Sequence, residues 1–513
     1  MAEARVLLVT SEAVPLIKTG GLADVIGALA AALVAQGANV KVLMPGYPAA
    51  MEKAAALKKV CDLPGLPGGD GALFQGKMPD TGVCVLLLQS PRFAQRTANP
   101  YVDSSGREYD DNALAFGALC HTAVRICAGE TPLPVPHVVH ANDWHAGLIA
   151  PLMRARNIAN VGTALTIHNL AFQGNYPAQY AEELGIPADM MNEDGAEFWG
   201  KLSFLKGGVT YSDRITTVSH TYAKEILTPQ FGYGFEGVLN KRKDALLAIP
   251  NAVDVHAWNP EIDTLIKRNF SVDNMSGKAA CKRDVQKLFN LPVQQFLPLM
   301  AIGSRITHQK MFDVILAAMP SILQRHPRLQ VAVLGCGEAQ YADAFRALAE
   351  QHPDRVGVYI GYDERRAHAL HAGADILLHP TRFEPYGLTP IYSMLYGTIP
   401  VCSRVGGLCD SIVDAGTGTL PARARGVLFD GEQPSDLEHA VDRVIDLYMR
   451  PATWQTLQRN AMQGDFSWQG PAAAYIQLYA EIAPAAARQS FLDLLTPTAR
   501  AAQVHPAHYK MTA

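Results

Sequence analysis

Two facing doubly wound α/β domains, each built on a mostly parallel sheet, are the fold that this sequence predicts. Three observations predict it. Short apolar runs alternate with longer amphipathic segments along most of the chain, the pattern of strand, helix, strand. The rhythm stops around Asn251–Pro260 (NAVDVHAWNP), passes through polar Glu261–Lys278 and then restarts. The chain has 513 residues, too many for one ordinary domain.

The elements follow in order. Arg5–Thr10 (RVLLVT) reads as a buried strand, Gly21–Gln36 as a helix rich in Ala, Leu and Val, and Asn39–Met44 as the next strand. Val83–Leu88, His137–His140, Gly162–Ile167 and Arg214–Val218 continue the series. After the break come Leu299–Ile302, Gln330–Leu334, Val356–Ile360, Asp375–His379 and Thr398–Cys402. The expected domains are therefore residues 1–255 and 256–480, with 481–513 a helix and then a loose tail. Ligands of such sheets bind beyond the carboxyl ends of the strands. The loops after each strand, and a cleft between two facing domains, are thus where chemistry is expected.

Composition narrows the function. Apolar residues make up 49% of the chain and charged residues 18%, and the net charge is -4, the profile of a globular enzyme with a large core. This balance gives no electrostatic reason to expect nucleic acid or an anionic membrane as partner. No window approaches the ~20 uninterrupted apolar residues of a membrane span. The first residues, MAEARVLLVTSEA, lack a basic segment followed by a long apolar one, so no signal peptide is expected. The eight cysteines form no C-x-x-C pair, and several lie in apolar runs, which reads as free thiols in a reducing, cytoplasmic compartment.

The informative residues fall in loops after strands. Lys18-Thr19-Gly20-Gly21-Leu22-Ala23-Asp24 follows the first strand and opens a helix. Its paired glycines allow close approach of backbone amides to an anion, unless it is an ordinary glycine turn. It does not match G-x-G-x-x-G, which argues against a nicotinamide enzyme. His140–His145 (HANDWH) ends another strand and suits recognition of sugar hydroxyls; zinc is the rival, without evident further ligands. His168–Gly174 (HNLAFQG) ends a third, with His168 either structural or functional. Ser304–Lys310 (SRITHQK) offers Arg305 and Lys310 to one diphosphate, against the alternative of a solvated basic turn. Arg382–Thr389 (RFEPYGLT) sets Glu384 before a helix whose first amides suit a phosphate.

Together these segments resemble the glycogen and starch synthase family. The similar stretches are KTGGLADVIGAL (Lys18–Leu29), HANDWHAGL (His140–Leu148), HNLAFQGNYPA (His168–Ala178) and LSFLKGGVTYSDRITTVS (Leu202–Ser219). GYGFEGVL (Gly232–Leu239), RFEPYGLTPIY (Arg382–Tyr392), YGTIPV (Tyr396–Val401) and DFSW (Asp465–Trp468) follow in the same order. The resemblance implies a retaining, metal-independent glycosyltransferase of the two-Rossmann-domain (GT-B) type, without a cofactor. It would move glucose from ADP-glucose to the non-reducing end of an α-1,4-glucan. The nucleotide would lie mainly on the second domain and the glucan on the first. By motif position, Arg305 and Lys310 would hold the donor diphosphate and Glu384 the glucose near the reacting carbon. Amides of Gly387, Leu388 and Thr389 would add phosphate and hydroxyl contacts, with Gln309 and Tyr386 beside them. Lys18, Gly20 and Gly21 would close over the phosphates, and His168, Asn169 and Asp143 would contact the transferring glucose near Asp24 and Tyr101. Tyr362 would stack on the base.

Some positions depart from the family pattern. Met311 follows Gln309-Lys310 where the family usually has glycine, and Tyr386 stands where it usually has cysteine. Asn251-Ala252-Val253-Asp254 replaces NGVD, and Pro390 and Leu395 replace a glutamine and a basic residue. The rival readings are a glucosyltransferase using UDP-glucose or another acceptor, a nucleotide-sugar epimerase on the same fold, and a weakly active glucan-binding paralogue.

Overall fold

Strands without a polar face are stable only when covered on both sides, and the central strands here are buried along their whole length, as in Val138–Asn142, Gly162–Ile167 and Ile376–His379. The computed structural model describes residues 3–97, 99–103 and 105–496. The chain forms two units. The first runs to Val218, takes in Ala223–Ala252 and resumes at Trp468; the second comprises Ser219–Tyr222 and Val253–Ser467.

The first unit holds strands β1 (Arg5–Val9), β2 (Asn39–Pro45), β3 (Ala55–Leu63), β4 (Gly71–Lys77), β5 (Cys84–Gln89), β6 (Val138–Asn142) and β7 (Gly162–Ile167). The short strands β8 (Asn175–Pro177), β9 (Glu197–Phe198) and β10 (Lys201–Ser203) form a separate three-stranded sheet, and β11 (Arg214–Thr217) and β12 (Leu246–Ala248) rejoin the main one. The nine-stranded order is β12-β11-β7-β6-β1-β2-β5-β4-β3. Every pair from β12 to β5 is parallel, and β4 and β3 extend the edge antiparallel. Strand order reverses between β1 and β6.

The second unit holds β13 (Leu299–Gly303), β14 (Gln330–Gly335), β15 (Val356–Ile360), β16 (Ile376–His379), β17 (Ile399–Ser403) and β18 (Val427–Phe429). All pairs are parallel in the order β15-β14-β13-β16-β17-β18, the 3-2-1-4-5-6 winding of dinucleotide-binding sheets. Here the order reverses between β13 and β16.

One assignment is corrected. Residues 468–480, placed by the sequence rhythm in the second domain, belong to the first unit. The helix Gln469–Ile482 buries Tyr475 and Tyr479 against that unit, where the Tyr479 hydroxyl meets His140 Nδ1 at 2.8 Å. Its Ile482 carbonyl sits so close to Gly162 that a Cβ there would lie 2.3 Å away. A second short helix, Ala485–Asp493, follows after Pro484. The expected tail, from residue 497, lies outside the described residues. No helix among the described residues is long and apolar enough to cross a membrane.

Candidate active site

In the second unit the loops after β13 and β16 meet at the point where the strand order reverses, the place where such sheets bind ligands. The loop after β13 turns through a short 3-10 segment, His308–Lys310, and Met311 in the left-handed region (φ 52°) starts the helix Phe312–Arg325. The turn swings Lys310 inward, where its ammonium pairs with the Glu384 carboxylate and lies 3.3 Å from His379 Nε2. His379, the last residue of β16, is also 3.2 Å from Glu384. All three side chains are buried. Burial alone would raise the Glu384 carboxyl, but the Lys310 charge and the His379 hydrogen bond hold it down at about 2. Burial and the Lys310 charge lower His379, so its imidazole is neutral near pH 7.

Backbone geometry fixes this cluster. Gly387 (φ 93°) caps the helix Leu388–Leu395, and a Cβ on it would lie 2.6 Å from Leu408 and 3.3 Å from Glu384, so only glycine fits. The Glu384 carbonyl accepts from the Gly407 amide at 3.1 Å. The first amides of the helix, including Leu388 and Thr389, have no partner within it, as at any helix start. Gln309 donates to the Phe383 carbonyl at 3.2 Å and accepts from exposed Arg305 at 3.4 Å, which ties the two loops. Lys310, expected with Arg305 at the donor diphosphate, pairs in the structure with Glu384. Among the departures from the family pattern, Met311 is buried and accepts from the Ser403 hydroxyl at 3.7 Å, and Tyr386 is buried beside Gly407. Tyr362 lies apart on the loop after β15, 66% exposed, its hydroxyl donating to Glu364.

The first unit brings together most of its expected residues. Asp143 follows β6 in a left-handed conformation (φ 57°), and its Oδ1 accepts from the amides of His168 (2.7 Å) and Asn169 (3.3 Å). Burial raises its carboxyl to about 7 despite those two amides. His168 Nε2 lies 3.0 Å from Asn142 Oδ1, while the Asn142 amide nitrogen is spent on the Val9 and His140 carbonyls. The proton therefore sits on Nε2, and Nδ1 is the acceptor nitrogen. Burial lowers the imidazole to about 3, so it is neutral. Lys18 pairs with Asp24 at 3.0 Å, at the start of the helix that Gly20 caps and Gly21 opens. Tyr101 stacks on His145 with centroids 4.8 Å apart. His140 is no metal ligand, because both its nitrogens are engaged, with Tyr479 and with Thr166 at 2.6 Å.

Two groups escaped the sequence reading. His379 was passed over as the end of an apolar strand, although a polar residue closing a buried strand is itself the signal. Glu12 lies buried just after β1, accepts from the Thr19 amide (2.5 Å) and hydroxyl and from the Tyr101 hydroxyl (3.1 Å), and so anchors the Lys18–Gly21 loop. Burial raises its carboxyl. A carboxylate among small residues after the first strand was the available clue.

Comparison with known proteins extends the picture. Residues 5–241 match the starch synthase catalytic domain family, and residues 292–461 match glycosyl transferases group 1. A glycogen synthase of Ralstonia nicotianae is 52% identical over 482 residues, spanning 94% of this chain and 88% of that protein. One of Bordetella petrii is 44% identical over 492 residues, spanning 95% and 94%. The catalytic domain of starch synthase IV from Arabidopsis thaliana, solved bound to ADP and acarbose, superposes with a TM-score of 0.84 at 26% identity, covering 94% of this chain and 99% of that one.

Proposed function

Because this chain belongs to the glycogen synthase family, a family of glycosyltransferases, we propose that it carries glucose from ADP-glucose to the non-reducing end of an α-1,4-glucan in the cytoplasm, with retention at the anomeric carbon. The observation that carries the reading is the buried Lys310–Glu384–His379 cluster at the strand-order reversal of the second unit. The bound ADP of the starch synthase IV structure supports the choice of base.

Breaking the bond between the sugar and the diphosphate builds positive charge on the anomeric carbon and negative charge on the departing nucleotide. Arg305 and Lys310 are assigned to the negative charge, with Gln309 and the amides of Gly387, Leu388 and Thr389 beside them. Glu384, ionised at any physiological pH, is assigned to the sugar beside the reacting carbon. A hydrolase acting through paired carboxylates would need a second one across the bond; the partners of Glu384 are Lys310 and His379. Attack from the same face is therefore favoured. The acceptor hydroxyl oxygen bonds to the anomeric carbon, the carbon–phosphate oxygen bond breaks, and the hydroxyl proton passes to that phosphate oxygen. On the first unit, neutral His168 offers Nδ1 to a glucose hydroxyl, next to Asp143 and Asn169. Lys18, Gly20, Gly21, Asp24 and Tyr101 are assigned to the donor, and Tyr362 and Tyr386 to its nucleotide side.

A coupled assay of nucleoside diphosphate release, with glycogen as acceptor, tests the proposal. ADP-glucose is expected to turn over much faster than UDP-glucose. Equal rates, or release only without glucan, would refute it.

A further inference from the structure

Three large aromatic side chains stand out of the first unit close to one another: Trp199 is 83% exposed, Phe172 51% and Tyr233 43%. Burying such rings is what normally stabilises a fold, and clusters of them left in water mark binding surfaces. Their loops are tied together. Gln173, next to Phe172, donates its side-chain amide to the Tyr233 carbonyl at 3.1 Å. A Cβ on Gly234, next to Tyr233, would lie 3.5 Å from the Phe198 ring and 3.8 Å from the Trp199 indole nitrogen.

The backbone adds a second observation. Trp199 and Gly200 form the two-residue turn between β9 and β10, with φ of 52° and 76°. Such turns favour asparagine or aspartate before the glycine, and a bulky residue there is an outlier. Tyr233 is also left-handed (φ 51°) and also precedes a left-handed glycine. Twice, then, a strained position next to glycine carries an exposed aromatic ring. Strain of this kind persists where the side chain is needed in place.

We propose that Phe172, Trp199 and Tyr233 form a platform for an α-glucan chain, holding glucose units away from the end being extended. The face of a sugar ring presents C–H groups to the electron-rich face of an aromatic ring, while its hydroxyls need polar neighbours. The exposed Lys201, next to Gly200, supplies such a neighbour. This inference rests on the glucan-acceptor reading above.

Trp199→Asn is the informative variant, because it installs the residue that the turn prefers. Its melting temperature should hold or rise, whereas its KM for glycogen should rise about tenfold when combined with Tyr233→Ala. The KM for maltotriose, too short to span the platform, should not rise with it, and Trp199→Tyr should restore most of the glycogen KM. Mobility in a native gel containing glycogen gives the same answer without catalysis, so a failure of the transferase assignment stays distinguishable. Retardation by glycogen equal to that of the unmodified chain would overturn the platform. So would a change in native mass with the glycogen KM intact, which would make the patch a protein contact.

Discussion

Lys310 and Glu384 neutralise each other inside the protein, so neither can be changed alone without leaving a bare buried charge. Lys310→Ala should cut kcat by about a hundred- to a thousandfold, roughly 3–4 kcal/mol of transition-state stabilisation, and leave glycogen affinity in native gels unaltered. Lys310→Arg should recover part of it, since a planar fork replaces a point charge. Asp143 gives a pH signature. Burial pushes its native carboxyl up to about 7, far above the 3.8 of a free aspartate, so the native state holds a proton that the unfolded chain releases. Its contribution to stability is complete below 3.8 and is lost as pH rises through 7. If the ionised form serves the sugar, kcat/KM should rise with pH through an inflection near 7, and Asp143→Asn should flatten it. An inflection that survives in the variant would assign it elsewhere. At this scale the sequence was readable where a loop motif names its own residues, as with Lys310, Glu384, His168 and Asp143. It was silent on which of them pair. The Lys310–Glu384 contact joins two loops brought together by the parallel pairing of β13 and β16.

Elements were legible in proportion to their burial. The runs that form β6, β7, β16 and β17 have no polar face and were found directly. β3 was missed because AALKKVCDL is mostly exposed at an antiparallel edge and has no apolar stripe. The three-residue strands β12 and β18 were missed because so short a run carries no periodicity. The helix Gln469–Ile482 fell mostly within residues given to the wrong unit, since the order of elements along the chain does not say which core a helix packs against. Its role yields a prediction. Tyr479→Phe removes the hydroxyl from His140 and leaves a buried ring nitrogen unpaired, a loss of about 1–3 kcal/mol. Thermal unfolding should register it as a lower melting temperature, with no change in ADP-glucose KM if the helix acts only on stability.

For the whole molecule, buried neutral histidines set the response to acid. His140 and His168 in the first unit and His371 in the second are each held at about 3 by burial, against 6.5 for a free imidazole. Their contribution is complete above 6.5 and is lost as pH falls toward 3. Each contributes about 1.4 kcal/mol per pH unit, and Asp143 offsets one of them. Glu384, depressed from 4.5 to about 2, adds its own loss below 4.5. Calorimetry between pH 7 and 4 should show the melting temperature falling steadily, by more than any one substitution discussed here. A flat profile would mean that the histidines are reached by water. The passage of the chain out of the first unit and back into it has a further consequence. His140 cannot meet Tyr479 until everything between them has left the ribosome. The inserted unit, Val253–Ser467, is by then complete, so during synthesis the second lobe is free to mature before the first is sealed. A nascent chain stalled before Trp468 should thus expose the first lobe to protease while the second already resists it.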